Sequence, residues 1–546
     1  MHILGVSEGP EGGAAVVIDD RLVAVVSQAE TGVAAQDVPW EAAARALAIA
    51  GLGEADIDLV MVAGRYVPMF LRRRPMLRRL VENPFSVALD ASVAMQAVLR
   101  HSGVGAFEAD VAAEWMHGQF EARGYRPRRT VTVEVHRALA EAAYRLQPVD
   151  PAVVLTLHPL GDGVALAVHV GAQGQLDQVD SQKGFESLHT HLRRVLAEVG
   201  LAEHQLHRLG VLAAGAAPDA RLERLLGERF AADAGRLTRG AWPSRSPAGD
   251  PVRARIAELS RGDAAASILE NLAQAVEEVA RFHLRSAGID HLCVAGRVFE
   301  EPRVVARLAE MPEVARLSVL PRPGASLLAL GAAADGAGLA PAWVDLAVGA
   351  SPSEAEVADV VHRSGLRPLA SSAAEVLARG GVVARLRGPA GLGRVAQGAR
   401  CVLTRADDPG AAVRLRRAMS LPDGEEPTLL LPEDSPELGV AAAGALGTSL
   451  RHGVAALALT GAAADRVRSC LAADGRVPVQ QLAPEHELST LVHEVRRMTG
   501  CPALLAWPLA EGDAPQATDP RAAVEVWRRS GADALQLGSV TVGRAR

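Results

Sequence analysis

Residues 3–26 read ILGVSEGPEGGAAVVIDDRLVAVV, and they hold three short β-rich runs: His2 to Val6, Ala14 to Ile18 and Leu22 to Val26. The last two are joined by Asp19, Asp20 and Arg21 in a hairpin-like arrangement, so the chain opens on antiparallel strands. Working outward, Trp40 to Ala50 carries apolar residues at helical spacing, and Ile57 to Ala63 is an apolar run that predicts a buried strand. A largely helical stretch is expected from about Pro75 to Gly124, then a strand at Thr130 to Val135 and a helix at His136 to Leu146. Val153 to Leu157, Gly163 to Val170 and Leu176 to Val179 then restart the strand-turn-strand pattern. The opening motif is written twice.

A duplicated lobe that begins with a β-hairpin platform resembles the acetate kinase, sugar kinase and Hsc70 superfold. A long amphipathic helix is expected between Ala264 and Ala287, a strand at Leu292 to Ala295 and an Ala-rich helix at Ser326 to Ala334. Gly336 to Pro352 is rich in Gly, Ala and Pro, which places a domain boundary there. Two α/β domains follow, 1–345 and 346–546, the second with strands near Val382 to Leu386, Thr428 to Leu431, Val454 to Leu459 and Ala503 to Ala506.

Composition narrows the class. The 546 residues are 49% apolar but only 3% aromatic, so the cores must be packed with Ala, Val and Leu. Lys183 is the only lysine among 57 basic residues, a skew that reflects the proteome before it reflects phosphate recognition. Net charge is -7 with the basic residues scattered, which argues against nucleic acid as a partner. One dense cluster, Arg72, Arg73, Arg74, Arg78 and Arg79, reads as a solvated helix face, with binding of an acidic partner as the weaker alternative. Cys293, Cys401, Cys470 and Cys501 lie far apart, with neither zinc-knuckle nor disulfide spacing. No signal-like start and no uninterrupted bilayer-length apolar run is present, so a cytoplasmic protein without membrane contact is expected.

Several segments in order resemble the carbamoyltransferase family typified by the tobramycin, cephamycin and Nod-factor enzymes. VEVHRALAEAAYRL (133–146) resembles that family's Asp-His-His-x-x-His-Ala helix entry, and VVLTLHPLGDG (153–163) its strand bearing Asp-Gly-x-Gly-Asp/Glu. LCVAGRVFEEPRVVARL (292–308) and VLPRPGASLLALGAAADG (319–336) resemble its Leu-Ala-Gly-Gly and Pro-x-x-Gly-Asp segments. VVARLRGPAGLGRVAQGARCVLTRADDP (382–409) is similar to its long Gly-rich signature. The resemblance implies a threonylcarbamoyl-transferase-like first domain and a YrdC-like second domain. It further implies that the second domain activates carbamoyl phosphate with ATP, and that the first, with a divalent metal ion, passes the carbamoyl group to a hydroxyl.

Against that pattern the chemistry is eroded. The first and third histidines of His-His-x-x-His fall on Val135 and Leu139, leaving only His136, and the metal-binding Asp falls on Ala325 after the retained Gly324. A metal ion needs lone-pair donors, and hydrocarbon supplies none. The His-Asp turn becomes Pro10-Glu11, the Asp of the next strand becomes His158, and the Asn after Ala-Gly-Gly becomes Glu301. In the second domain Gly388, Gly393, Gly398 and Arg400 keep the spacing of an ATP and carbamoyl phosphate site. There, however, the Arg of Gly-Pro-Arg becomes Val395, and the Asn-Thr-Ser-Phe-Asn run becomes Ala506 to Ala510. Glycines that shape turns and apolar residues that fill cores persist.

The sequence also offers other chemistry. His189 and His191, with His204 and His207, form pairs that a metal could use if the fold joined them. His136 and His158 are candidate lone bases, against the plainer reading of hydrogen-bonded core histidines. Gly391 to Ala396 matches G-x-G-x-x-A after a strand, with Asp407 and Asp408 at a workable distance downstream, a dinucleotide-binding pattern that fits less well than the carbamoyltransferase signature on the same segment. The resemblance and its losses together imply a non-catalytic family member that needs no cofactor. Such a protein supports or regulates an active carbamoyltransferase or another pathway enzyme, or assembles with copies of itself. The alternative is an active ATP- and metal-dependent O-carbamoyltransferase with rebuilt sites.

Overall fold

The computed structural model describes the chain except for residues 9–11, 32–37, 65–103, 184–187, 240–248, 322–324, 423, 469–470, 513 and 544–546. Strands β1 (His2–Ser7), β2 (Gly13–Ile18) and β3 (Arg21–Ser27) form an antiparallel meander, and β4 (Leu59–Ala63) and β5 (Arg129–Val133) extend it in parallel beside β1. The sheet order is β3-β2-β1-β4-β5. The tight turn is closed by Asp19 at a φ of 55°, a left-handed position that Asp tolerates better than most residues. Helix α1 (Trp40–Ala50) covers one face and stops at Gly51, whose φ of 69° forms a left-handed cap. On the same core, Trp40 meets Phe120 of helix α2 (Val104–Glu121) at 5.0 Å between ring centroids.

The path then repeats. β6 (Ala152–Gly161), β7 (Val164–Ala172) and β8 (Gln175–Lys183) form a second meander, and β11 (His291–Ala295) and β12 (Arg316–Val319) add parallel strands beside β6. Its order, β12-β11-β6-β7-β8, is the first sheet's order read from the other edge. The duplicated lobe expected from the repeated opening motif is therefore present strand for strand. A separate hairpin, β9 (Phe230–Asp233) and β10 (Arg236–Arg239), lies between the second meander and its parallel strands in the chain.

Helices α3 (Val135–Arg145), α4 (Leu188–Glu198), α5 (Arg261–Ala287), α6 (Pro302–Ala309) and α7 (Ala325–Ala337) belong to the first unit, together with shorter helices at Leu209–Ala213, Ala220–Gly227 and Pro251–Glu258. The strand expected to run through Val135 ends at Val133, and Val135 opens α3. Helix α5 begins three residues before the expected Ala264, because the Ser260 hydroxyl accepts the Asp263 N–H as an N-cap. Helix α7 packs at backbone distance on two elements. A Cβ on Gly5 of β1 would stand 2.0 Å from Ala329 O, and one on Gly331 would stand 1.7 Å from Ala138 O of α3. Glycine and alanine are what such proximity requires.

By contact density the chain divides into Met1–Val344 with Gly444–Leu446, and Asp345–Ala443 with Gly447–Arg546. The second unit is built on β13 (Arg367–Pro368), β14 (Val383–Leu386), β15 (Arg400–Arg405), β16 (Thr428–Pro432) and β17 (Gly439–Val440). β18 (Ala456–Thr460), β19 (Arg476–Leu482), β20 (Leu504–Pro508), β21 (Ala534–Leu537) and β22 (Val540–Gly543) complete it. Their order is β13-β22-β21-β14-β15-β20-β16-β19-β18-β17. Helices α8 (Ala373–Ala378) and α9 (Glu487–Thr499) bury Leu377, Leu488, Val492 and Val495 against Val383, Leu403 and Leu504 of the sheet. The dinucleotide reading of Gly391 to Ala396 is overturned here. The segment leads from β14 through a short turn at Ala396–Gly398 into antiparallel β15, so no helix N-terminus stands where a pyrophosphate would sit.

Candidate functional site

In the first unit the three positions expected to lose metal ligands fall on two helices. Val135 and Leu139 lie on α3 at 7% and 0% exposure, and Ala325 opens α7. Between them on α3, His136 is fully buried: Nδ1 shares a 2.8 Å hydrogen bond with Thr156 Oγ1, and Nε2 shares one of 3.0 Å with Val164 O. Both ring nitrogens are thus spent on β6 and β7, and the strand end presses on the ring from above. A Cβ on Gly161 would stand 2.7 Å from His136 Cδ2 and 2.9 Å from Val135 Cγ1. Asp162, next to it, accepts the Val135 N–H at 2.8 Å and so holds the start of α3. A base that fills both its nitrogens inside a core cannot accept a substrate proton.

His158 lies at the far end of β6, its ring centroid 6.5 Å from that of His136. It lines a cavity of about 10 Å³ with Leu157, Leu192, Leu196, Leu206 and Val298, room for about one water. At that cavity Glu203 pairs with Arg297 at 3.3 Å and Arg193 at 3.8 Å. Glu301, at the position of the family's Asn, is fully buried and accepts the N–H groups of Arg303 and Gly210, each at 3.0 Å. Its carboxylate caps α6. Among the described residues, no group of three or more His, Cys, Asp or Glu side chains could hold a metal ion. The donor set at this site does not fit the divalent ion that the resemblance implies.

In the second unit Gly388, Gly393 and Gly398 take φ values of 73°, 119° and 86°, so their persistence is explained by backbone shape alone. Arg400 opens β15 at 2% exposure. Nη1 donates to Gly388 O at 3.0 Å and Ala399 O at 2.9 Å, and Nη2 donates to Ala350 O at 2.8 Å. This guanidinium works as an internal clamp on three turns of its own domain. Trp507 on β20 is 2% exposed, and its Nε1 finds no hydrogen-bond partner among the described residues. The contacts of Val395 are apolar, within the core under α8 and α9.

The remaining sequence candidates separate. His191 stacks on Phe230 at 5.0 Å, while His204 and His207 lie on the turn Glu203–Arg208; the side chain of His189, Pro10-Glu11, the Arg72–Arg79 cluster and Cys470 fall outside the described residues. Two arrangements that spacing did not reveal stand out. On α3, Arg137 and Arg145 both pair with the buried Glu141. Arg385 on β14 and Arg387, one residue past its end, converge on Glu487 of α9.

His169 on β7 is 1% exposed, its Nδ1 has no hydrogen-bond partner among the described residues, and burial, followed by the charges of Arg137 and His136, pushes its pKa down to about 3. Because the folded state refuses a proton that the unfolded chain accepts, stability is full above the ordinary imidazole range and falls as pH drops from ~6.5 toward ~3. His169→Met is expected to leave stability at pH 7 unchanged or raised, and to flatten that acid slope. His452, which burial likewise pushes down to about 3, keeps a residual slope. Denaturant titration from pH 4 to 8 reads both effects; a His169→Met variant as acid-sensitive as the parent would contradict this.

No known family pattern matches the chain, and no curated protein matches it. Among solved structures it is similar to a ROK hexokinase from Thermus thermophilus at 17% identity, covering 61% of this chain and 97% of that one at a TM-score of 0.26. It is also similar to a ROK family glucokinase from Streptomyces griseus at 14% identity, covering 61% and 98% at a TM-score of 0.28. Likenesses this distant carry no argument about activity. Among the described residues, no helix is long and apolar enough to cross a membrane.

Proposed function

We propose that this chain is a carbamoyltransferase-like protein that has given up catalysis and acts by binding, supporting or regulating an active enzyme of the same small-molecule pathway. The observation that carries the reading is the state of His136. It is the single imidazole left of the metal-binding helix motif, and both its nitrogens are consumed within the core while its neighbours on that helix face are Val135 and Leu139. The commitment of Arg400 to backbone carbonyls supports the same reading for the YrdC-like second domain. On this reading no cofactor is required, and the partner is an active carbamoyltransferase, another pathway enzyme or a second copy of the chain. Incubation of the full chain with carbamoyl phosphate, ATP and Mg²⁺ tests it. Pyrophosphate release is expected at the level of buffer alone; steady release would establish the active alternative with rebuilt sites.

A further inference from the structure

Helix α9 (Glu487–Thr499) starts on a histidine. His486 has extended backbone, with φ −70° and ψ 129°, and its Nδ1 accepts the Leu488 N–H at 3.2 Å. The usual cap residues, Ser, Thr, Asp and Asn, offer an oxygen whose lone pair is present throughout the neutral range. An imidazole nitrogen accepts only while it is unprotonated, so this cap requires neutral His486 with its proton on Nε2. Protonation would turn Nδ1 into a donor facing another donor, and would set a cation at the positive end of the helix.

Two further contacts hold the same turn. Glu487 pairs with Arg385 of β14 and, at 2.7 Å, with Arg387. Leu488 is fully buried and fills the space over Gly398, where a Cβ would stand 2.0 Å from Leu488 Cδ1. The first turn of α9 thus closes over the turn that joins β14 to β15, with the His486 ring at its edge.

Burial pushes the His486 pKa down from the ordinary imidazole value; of the charges around the ring, Glu487 raises it, Arg385 lowers it, and Asp345 and Glu485 raise it. On α8, packed beside α9, Glu375 accepts the Ser372 N–H at 3.0 Å and Arg379 donates to Ser371 Oγ at 2.6 Å. Farther along α9, His493 faces Asp434 at 3.2 Å and Arg496 faces Glu437 at 2.9 Å. A histidine depressed in the folded state contributes its stabilisation in full above the unfolded value of ~6.5 and loses it as pH falls.

We propose that His486 is a proton-sensitive latch: neutral, it caps α9 and keeps the first turn closed over the β14–β15 turn; protonated, it releases that turn together with Glu487 and Leu488. Such a latch operates whether or not the chain turns over a substrate.

Hydrogen–deuterium exchange of the full chain at pH 7.5 and pH 5, followed on the peptide that covers the start of α9 and corrected for the intrinsic pH dependence of exchange, tests it. Protection in the parent is expected to fall about tenfold at the lower pH, because opening takes up one proton. His486→Asn keeps a cap oxygen and takes up no proton, so its protection is expected to match the parent's at pH 7.5 and to change by less than about twofold at pH 5. His486→Asp, an equally good cap whose carboxylate stays charged at both values, is expected to behave in the same way. His169 and His452 titrate in all three proteins, so the global acid slope drops out of the difference. Parent protection that does not fall, or a fall of the same size in both variants, would overturn the latch. So would protection already lost at pH 7.5 in His486→Asn, since the ring would then hold the turn by something other than its cap.

Discussion

Gly331→Val is expected to destabilise the first unit by ~3 kcal/mol or more, enough to remove its cooperative unfolding transition or lower it sharply. The position lies mid-helix in α7, where any Cβ would stand 1.7 Å from Ala138 O, a backbone atom that moves only if α3 moves. The gain in helix propensity on replacing glycine, at most about 1 kcal/mol, cannot offset that overlap. Gly227, with nothing within 4 Å of an added Cβ, is the control, and Gly227→Ala should change stability by less than about 0.5 kcal/mol. Calorimetry of the two variants reads the difference. Equal midpoints would show that α7 does not pack on α3 as described.

The second large effect is expected at Arg400. Replacing it by Met keeps the volume but strands the carbonyls of Gly388, Ala399 and Ala350, which a buried guanidinium now serves. A loss on the order of 3–5 kcal/mol follows from leaving several buried acceptors unpaired. Arg400→Lys should recover little of it, because a single ammonium cannot span the fork that reaches Gly388 and Ala350 together. The measurement distinguishes two roles. A residue kept for ligand would lose affinity and leave folding intact, whereas a clamp loses stability first. Full stability of Arg400→Met would contradict the clamp.

Much of the fold was legible where pattern and packing agree. Trp40–Ala50 has a single apolar face and a glycine at its end, and the helix occupies those residues. The repeated strand-turn-strand opening was readable because β1, β2 and β7 are buried along almost their whole length, and such strands are written as nearly continuous apolar runs. Two central strands of the second unit were missed for physical reasons. β15 begins with the buried Arg400 inside a glycine-rich segment, and β19, RVPVQQL, contains a proline and two glutamines that argue against an interior strand.

The site was legible only in its losses. Val135, Leu139 and Ala325 could be named from the resemblance, but no spacing shows that His136 would be sealed by Thr156 and Val164 O across two strands. The Arg385 and Glu487 pair is 102 residues apart in the chain, and a pairing at that distance is created by topology alone. Arg400 illustrates the opposite hazard. Its spacing matched a ligand-binding motif, yet the same spacing is what a turn clamp demands.

The central claim is that the chain binds without turning over, and isotope exchange between labelled pyrophosphate and ATP in the presence of carbamoyl phosphate and Mg²⁺ reads it most directly. An enzyme that forms an adenylate also catalyses the reverse step, so even a slow or acceptor-less enzyme would scramble the label. The account predicts exchange no faster than in buffer. Label entering ATP at a rate proportional to protein concentration would contradict it.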